Sequence, residues 1–121
     1  MISRPIRIAV FVAACAVVLW LSLAPTTAIP TVNLWDKVEH AVAYLGLALI
    51  GAATFPTRLG RLAGGLFLLG IGVEVLQATM NLGRQGDPLD ALANSLGIAA
   101  GVGLALAIRD VVKVKSRPAG E

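Results

Sequence analysis

Apolar residues fill four stretches of this chain almost without interruption: Ile8–Ala24, Val38–Phe55, Leu62–Met80 and Leu89–Ile108. Each is long enough to cross a bilayer as a helix of about 20 residues. Breakers separate them, with Pro25 and Pro30 after the first, Pro56 after the second, Gly83 and Gly86 after the third, and Pro118 in the tail. A membrane β-barrel would need alternating segments of about 10 residues, and runs such as Val42–Ala53 do not alternate. The pattern predicts an all-α fold, a polytopic transmembrane four-helix bundle in a single membrane domain, with 109–121 as a basic cytoplasmic tail.

Composition removes the soluble alternatives. Of 121 residues, 57% are hydrophobic and 14% charged, against about 25% charged in a typical soluble domain. Mean hydropathy is +0.82, far too apolar for disorder. A single cysteine cannot make a disulfide framework, and the 13 glycines follow no collagen period.

Charge fixes the expected orientation. With both termini cytoplasmic, Arg4, Arg7, Arg58, Arg61, Arg109, Lys113, Lys115 and Arg117 lie inside, eight of the 10 Lys and Arg, and only Lys37 and Arg84 lie outside. That asymmetry over short loops follows the positive-inside rule. The acids sort the other way: Asp36, Glu39, Glu74, Asp87 and Asp90 fall at or near the outer face, while Asp110 and Glu121 fall inside. Five acids against two cations give the outer side −3, and eight cations against two acids give the inner side +6, matching the stated net +3. The expected location is a bacterial cytoplasmic (inner) membrane, crossed several times.

The N-terminus also has a competing reading. Arg4 and Arg7 before an apolar run resemble a secretory signal, and Val12-Ala13-Ala14-Cys15 resembles a lipoprotein cleavage box. Ala16 to Ala24 continue the apolar run past the cysteine, however, and cleavage would remove the first span. A retained helix is expected, with Cys15 as a small buried apolar residue. The basic tail reads as an anchor at the anionic inner leaflet. Nucleic-acid binding is not expected despite a pI of about 9.6, because no folded basic domain presents the charge.

Helical geometry then places the polar residues in one layer. At 1.5 Å per residue, His40 lies about 6 Å below Asp36, Asn94 about 10 Å below Asp87, and Glu74 about 9 Å below Met80. Asp36, His40 and Tyr44 form an i, i+4, i+8 ladder; Glu74 and Gln77 are i, i+3 neighbours. Asp87, Asp90, Asn94, Gly97 and Gly101 fall within about 80° of one another. Ionisable groups in spans normally face the bundle interior or a wet cavity. The expectation is a shallow polar pocket, open outward, among the second to fourth helices. Below it, Gly97-x-x-x-Gly101 would let a neighbouring helix approach closely.

Simpler roles compete. Asp36-Lys-Val-Glu39 and Asp87-Pro-Leu-Asp90 have the spacing of capping boxes, with Pro88 at the favoured first helical position. His40, Tyr44, Glu74, Gln77 and Asn94 lie too deep to cap, and their plain role would be interhelical hydrogen bonding worth about 0.6–2 kcal/mol per contact. Trp20 and Trp35 read as interfacial belt residues. A shift of 51 positions also aligns Asp36, Glu39, Leu45, Gly46 and Ala48 with Asp87, Asp90, Leu96, Gly97 and Ala99, a faint parallel repeat.

Taken in order, Asp36-Lys37-x-x-His40-x-x-x-Tyr44, Glu74-x-x-Gln77 and Arg84-x-x-Asp87-x-x-Asp90-x-x-x-Asn94-x-x-Gly97-x-x-x-Gly101 resemble the VanZ-like family. The resemblance covers Asp36 to Gly101, over half the chain. Glu39 departs from it, standing where an apolar residue would be expected. The family is named for a protein associated with low-level teicoplanin resistance. Resemblance to it implies a multi-helix bacterial inner-membrane protein linked to the cell envelope, and supplies no reaction.

No nucleophile elbow, P-loop, HExxH or cysteine-based metal motif occurs, and no cofactor is named by the sequence. Ser95 lies off the polar arc of the fourth helix, which argues against serine-type hydrolysis. The expected partner is an anionic amphiphile, a membrane lipid or a lipid-linked cell-wall intermediate. Lys37 and Arg84 would contact phosphate, and Asp36, Tyr44, Gln77, Asp87, Asp90 and Asn94 would line the head-group site. His40 and Glu74 are the candidate acid–base pair. The alternative is a non-catalytic scaffold whose polar layer only holds the helices together. A third reading has His40, Glu74 and Asp90 holding a divalent cation that bridges to phosphate; three scattered ligands are a weak signature, and no metal site is assigned. The sequence is compatible with an oligomer, which transport would require.

Overall fold

The computed structural model of the chain describes residues 2–23, 34–80, 88–116 and 118, the side chains of 34–36 excepted. Four helices account for 92% of these residues, and no strand occurs among them. They are α1 (Arg4–Leu23), α2 (Leu34–Thr54), α3 (Leu59–Thr79) and α4 (Pro88–Ser116). Pro88 opens α4 at the position where a missing N–H costs nothing. Several boundaries depart from expectation: α2 begins at Leu34 and α3 at Leu59, ahead of the expected Val38 and Leu62. The helix of α1 begins at Arg4, and α4 runs on through Arg109 to Ser116, so most of the expected tail is helical.

Three of the helices, α1, α3 and α4, are long and apolar enough to cross a membrane. The expected second span is 21 residues long, but it is not among them: its first two turns carry Asp36, Lys37, Glu39 and His40. This helix is the hub. It packs on all three others, most extensively on α4, while α1 and α4 do not meet.

Contacts set the register. Along α2 and α4, Lys37 meets Asp90, His40 meets Asn94, Ala41 faces Gly97, and Leu45 and Ala48 face Gly101. The two helices therefore run side by side in the same direction. A Cβ on Gly97 would collide with the Ala41 carbonyl oxygen, and one on Gly101 would stand 2.6 Å from the Ala48 Cβ and 2.8 Å from the Leu45 carbonyl oxygen. Here glycine is required because backbone meets backbone. The α3 helix runs the opposite way, its Leu62 under Gly51 and its Gly70 beside Tyr44.

Residue burial is inverted relative to a soluble protein. Glu74, Gln77, Asp90 and Asn94 are buried, each 8% exposed or less, whereas Val17, Trp20, Leu68, Val75, Leu92 and Leu96 are each at least 55% exposed. Large contiguous apolar surface of this kind marks contact with lipid or another apolar partner. The apolar core, Tyr44, Leu47, Ala48, Ala52, Leu62, Leu66 and Ile98, lies below the polar groups, with Phe11, Cys15 and Val18 of α1 packed on it. Cys15 is half-buried, close to the role expected of it.

At the opposite end, arginines clasp main-chain acceptors. Arg7 Nη1 donates to the Ala53 carbonyl at 3.0 Å, and Arg109 Nη2 to the Pro56 carbonyl at 2.6 Å. Cations at the C-terminal end of α2 also suit its dipole. Phe11 and Phe55 meet edge to face, 5.6 Å apart, beside this clasp.

The glycine contact is directly testable. Gly97→Ala should lower the stability of the purified chain by about 1–3 kcal/mol, the cost of overpacking. Gly103→Ala, whose Cβ would have nothing within 4 Å, should melt like the parent. Thermal melting in detergent measures both.

Candidate functional site

One buried layer draws its side chains from three helices. On α2, Lys37, His40 and Tyr44 stand three and four residues apart and so share a face. Glu74 and Gln77 do the same on α3, and Asp90 and Asn94 on α4. The close α2–α4 approach brings the first and third sets into bonding range.

Lys37 Nζ forms a short ion pair with Asp90 Oδ1. The Nε2 of His40 lies 3.7 Å from Asp90 Oδ2, and its Nδ1 bonds Asn94 Oδ1 at 3.1 Å. One donor atom from each of His40, Glu74 and Asp90 fits within a 4.8 Å span. Of the residues expected to share one layer, Lys37, His40, Glu74, Asp90 and Asn94 do come together. A carboxylate expected to cap α4, Asp90, is instead tied across to α2, so its place in the first turn does not exhaust its role.

Tyr44 reaches the same neighbourhood from below. Its ring stands 3.6 Å from where a Cβ on Gly70 would lie, and Asn94 Nδ2 3.2 Å from that point. The Tyr44 hydroxyl and Asn94 Nδ2 are buried with no hydrogen-bond partner among the described residues. Leaving such a group unsatisfied costs about 1–3 kcal/mol, and unsatisfied groups gather where something else is to be bound.

Gln77 makes a contact that the sequence does not predict. Its Nε2 donates to the Ser22 main-chain carbonyl at 2.7 Å, tying α3 to the last turn of α1. A main-chain acceptor leaves no mark in a sequence, so Ser22 escaped notice. Ser95 Oγ donates to the Ala91 carbonyl at 2.8 Å, a local back-bond within α4 that occupies its hydroxyl proton. The side chain of Asp36, and all of Arg84 and Asp87, lie outside the described residues.

Beside the cluster is a cavity of about 430 Å³ between α1 and α2, lined by Val18, Leu21, Ser22, Glu39, His40, Ala43 and Tyr44. One end is apolar and the other carries the imidazole, the phenol and the exposed Glu39. The sequence placed a pocket among the second to fourth helices; this cavity lies on the α1 side of α2, where α1 buries none of its residues fully.

Comparison with family models, curated proteins and solved structures finds no match.

Gln77→Ala should remove a fastening of α1 without touching the His40–Asp90–Asn94 contacts. The expected loss is about 0.6–2 kcal/mol in thermal melting, with faster proteolytic release of the α1 segment.

Proposed function

We propose that this chain is a small VanZ-like integral membrane protein of the bacterial cytoplasmic membrane, with four spans and both termini cytoplasmic. Its outward polar pocket recognises, or processes, the head group of an anionic lipid or lipid-linked cell-envelope component. The orientation rests on the cation asymmetry, eight of 10 Lys and Arg falling at one end. The same end carries the Arg7 and Arg109 clasps, opposite the His40 cluster.

The observation that carries the reading is the two-ended cavity. Val18, Leu21 and Ala43 offer apolar wall, and His40 and Tyr44 offer polar wall, in a space of about 430 Å³. An amphiphile has the matching halves, and pockets of roughly 300–1,000 Å³ hold small ligands. Lys37, held at the cluster by Asp90, and Arg84 supply positive charge for phosphate. The His40 imidazole and the Glu74 carboxylate are the groups that would move a proton in any processing step.

A second reading has direct support. Lys37–Asp90, His40–Asn94 and Gln77–Ser22 each link two helices, which is what a purely structural polar layer would do.

Native mass spectrometry of the wild type and of Lys37→Ala and Arg84→Ala separates the two. The lipid reading expects an anionic lipid on the wild type, depleted severalfold on both variants at equal protein yield. Equal lipid on all three would overturn it. The structural reading expects His40→Ala, Glu74→Ala and Asn94→Ala to fall in abundance and melting temperature together.

A further inference from the structure

The geometry points to a divalent transition-metal site at His40, Glu74 and Asp90. It involves the same pocket as the lipid reading but does not depend on it, since an ion can bind with or without a head group.

Three features converge. The donor atoms lie within 4.8 Å of one another, and each comes from a different helix. An ion bonded at about 2.0–2.2 Å to nitrogen and oxygen in tetrahedral geometry holds its donors about 3.4 Å apart, so binding would draw this set together by up to about 1.4 Å. Two of the three residues are buried, Glu74 at 8% and Asp90 at 5% exposure, so this is not an array of acids on a solvated surface.

The imidazole is also prepared for ligation. Asn94 Oδ1 can only accept, so its bond to His40 Nδ1 places the ring proton on Nδ1. Nε2, the other ring nitrogen, stands 3.7 Å from Asp90 Oδ2, so an ion placed between them would take one donor atom from each residue. A metal-bound histidine characteristically donates its other ring N–H in this way. Asn94 is therefore a positioning residue, and its own 2% exposure fixes the ring through packing.

Charge supplies the third feature. Glu74 and Asp90 put two carboxylates into this buried layer, with the Lys37 ammonium on Asp90 Oδ1, and a divalent ion between them would be attracted by both. An ion there would in turn offer open coordination positions to phosphate oxygens. One imidazole with two carboxylates suits Mn²⁺ or Zn²⁺. It suits Ca²⁺ poorly, because that ion takes six to eight oxygens, and Cu⁺ poorly, because that ion favours sulfur.

The test uses the full chain in detergent, with any affinity tag removed, stripped with chelator and titrated separately with Mn²⁺ and Zn²⁺ by calorimetry, with no lipid added. Elemental analysis gives the stoichiometry. About one ion per chain is expected, with His40→Ala, Glu74→Gln and Asp90→Asn each weakening affinity at least about tenfold, and Asn94→Ala weakening it about 10–100-fold through the loosened ring. Lys37→Ala should tighten binding by removing the competing ammonium. Asp110→Asn, an exposed acid at the far end of α4, should change nothing.

Two readouts guard against misfolding of the variants. Manganese electron paramagnetic resonance on the unsubstituted chain should show nitrogen coupling from His40. Melting temperature should rise with ion for wild type but not for Glu74→Gln. A stoichiometry below about 0.1 ion per chain, the absence of nitrogen coupling, or affinity unchanged in His40→Ala would each overturn the site. Lipid carried by the same chelated samples is scored apart, so loss of the metal site leaves lipid recognition standing, and the reverse.

Discussion

The close approach of α2 and α4 is the constraint on which the rest of the fold depends. Gly97 and Gly101 carry no side chains to hold the helices apart, so the α4 backbone rests on Ala41, Leu45 and Ala48. One and two turns toward the start of α4, that same spacing puts Asn94 against His40 and Asp90 against Lys37. Bulkier residues at either glycine would shift α4 outward and pull these pairs apart. The small-residue stripe is thus the mechanical basis of the polar cluster.

The cluster in turn explains why α2, the helix without a span-length apolar window, is the central one. Each charged group facing hydrocarbon would cost about 2.5–3.5 kcal/mol on insertion scales. Placing Lys37 and His40 where three other helices can surround them removes most of that cost. Helix α1, entirely apolar between Ile8 and Ala24 apart from Ser22, can afford the rim, where it contributes apolar wall and a carbonyl to Gln77. Hydropathy and position in the fold are linked because the polar residues must be the ones enclosed.

Much of this was legible in the sequence. Helical periodicity sorted Asp90, Asn94, Gly97 and Gly101 onto one face, and rise per residue put His40 and Glu74 at one depth; the contacts among them bear out both inferences. What could not be read were contacts made through the main chain, such as Gln77 to Ser22 and Arg109 to Pro56, since a carbonyl looks alike in every residue. Nor could the sequence locate the cavity, which depends on how α1 leans on α2. The reach of α4 to Ser116 was missed because its last two turns are amphiphilic rather than apolar, and a membrane-span reading stops where charge begins.

The two ends of the helices satisfy their polar groups differently, and that difference locates the chemistry. At one end, Arg7, Thr54 and Arg109 donate to main-chain carbonyls, bonds that finish helix ends and stiffen the α2–α3 turn. At the other, Lys37 and His40 bond side chains of α4 while Gln77 reaches the Ser22 carbonyl, and Tyr44 Oη, Gln77 Oε1 and Asn94 Nδ2 stay buried with no hydrogen-bond partner among the described residues. A layer meant only to join helices would be expected to close its bonds, as a half-satisfied network is worse than an apolar core. Arg7 Nε is unsatisfied as well, but it is a single atom on a side chain that already bonds Ala53. Of these three groups the Tyr44 phenol lines the cavity, and Asn94 bonds the His40 ring beside it, so the bonds left open belong to the layer in which a ligand is proposed.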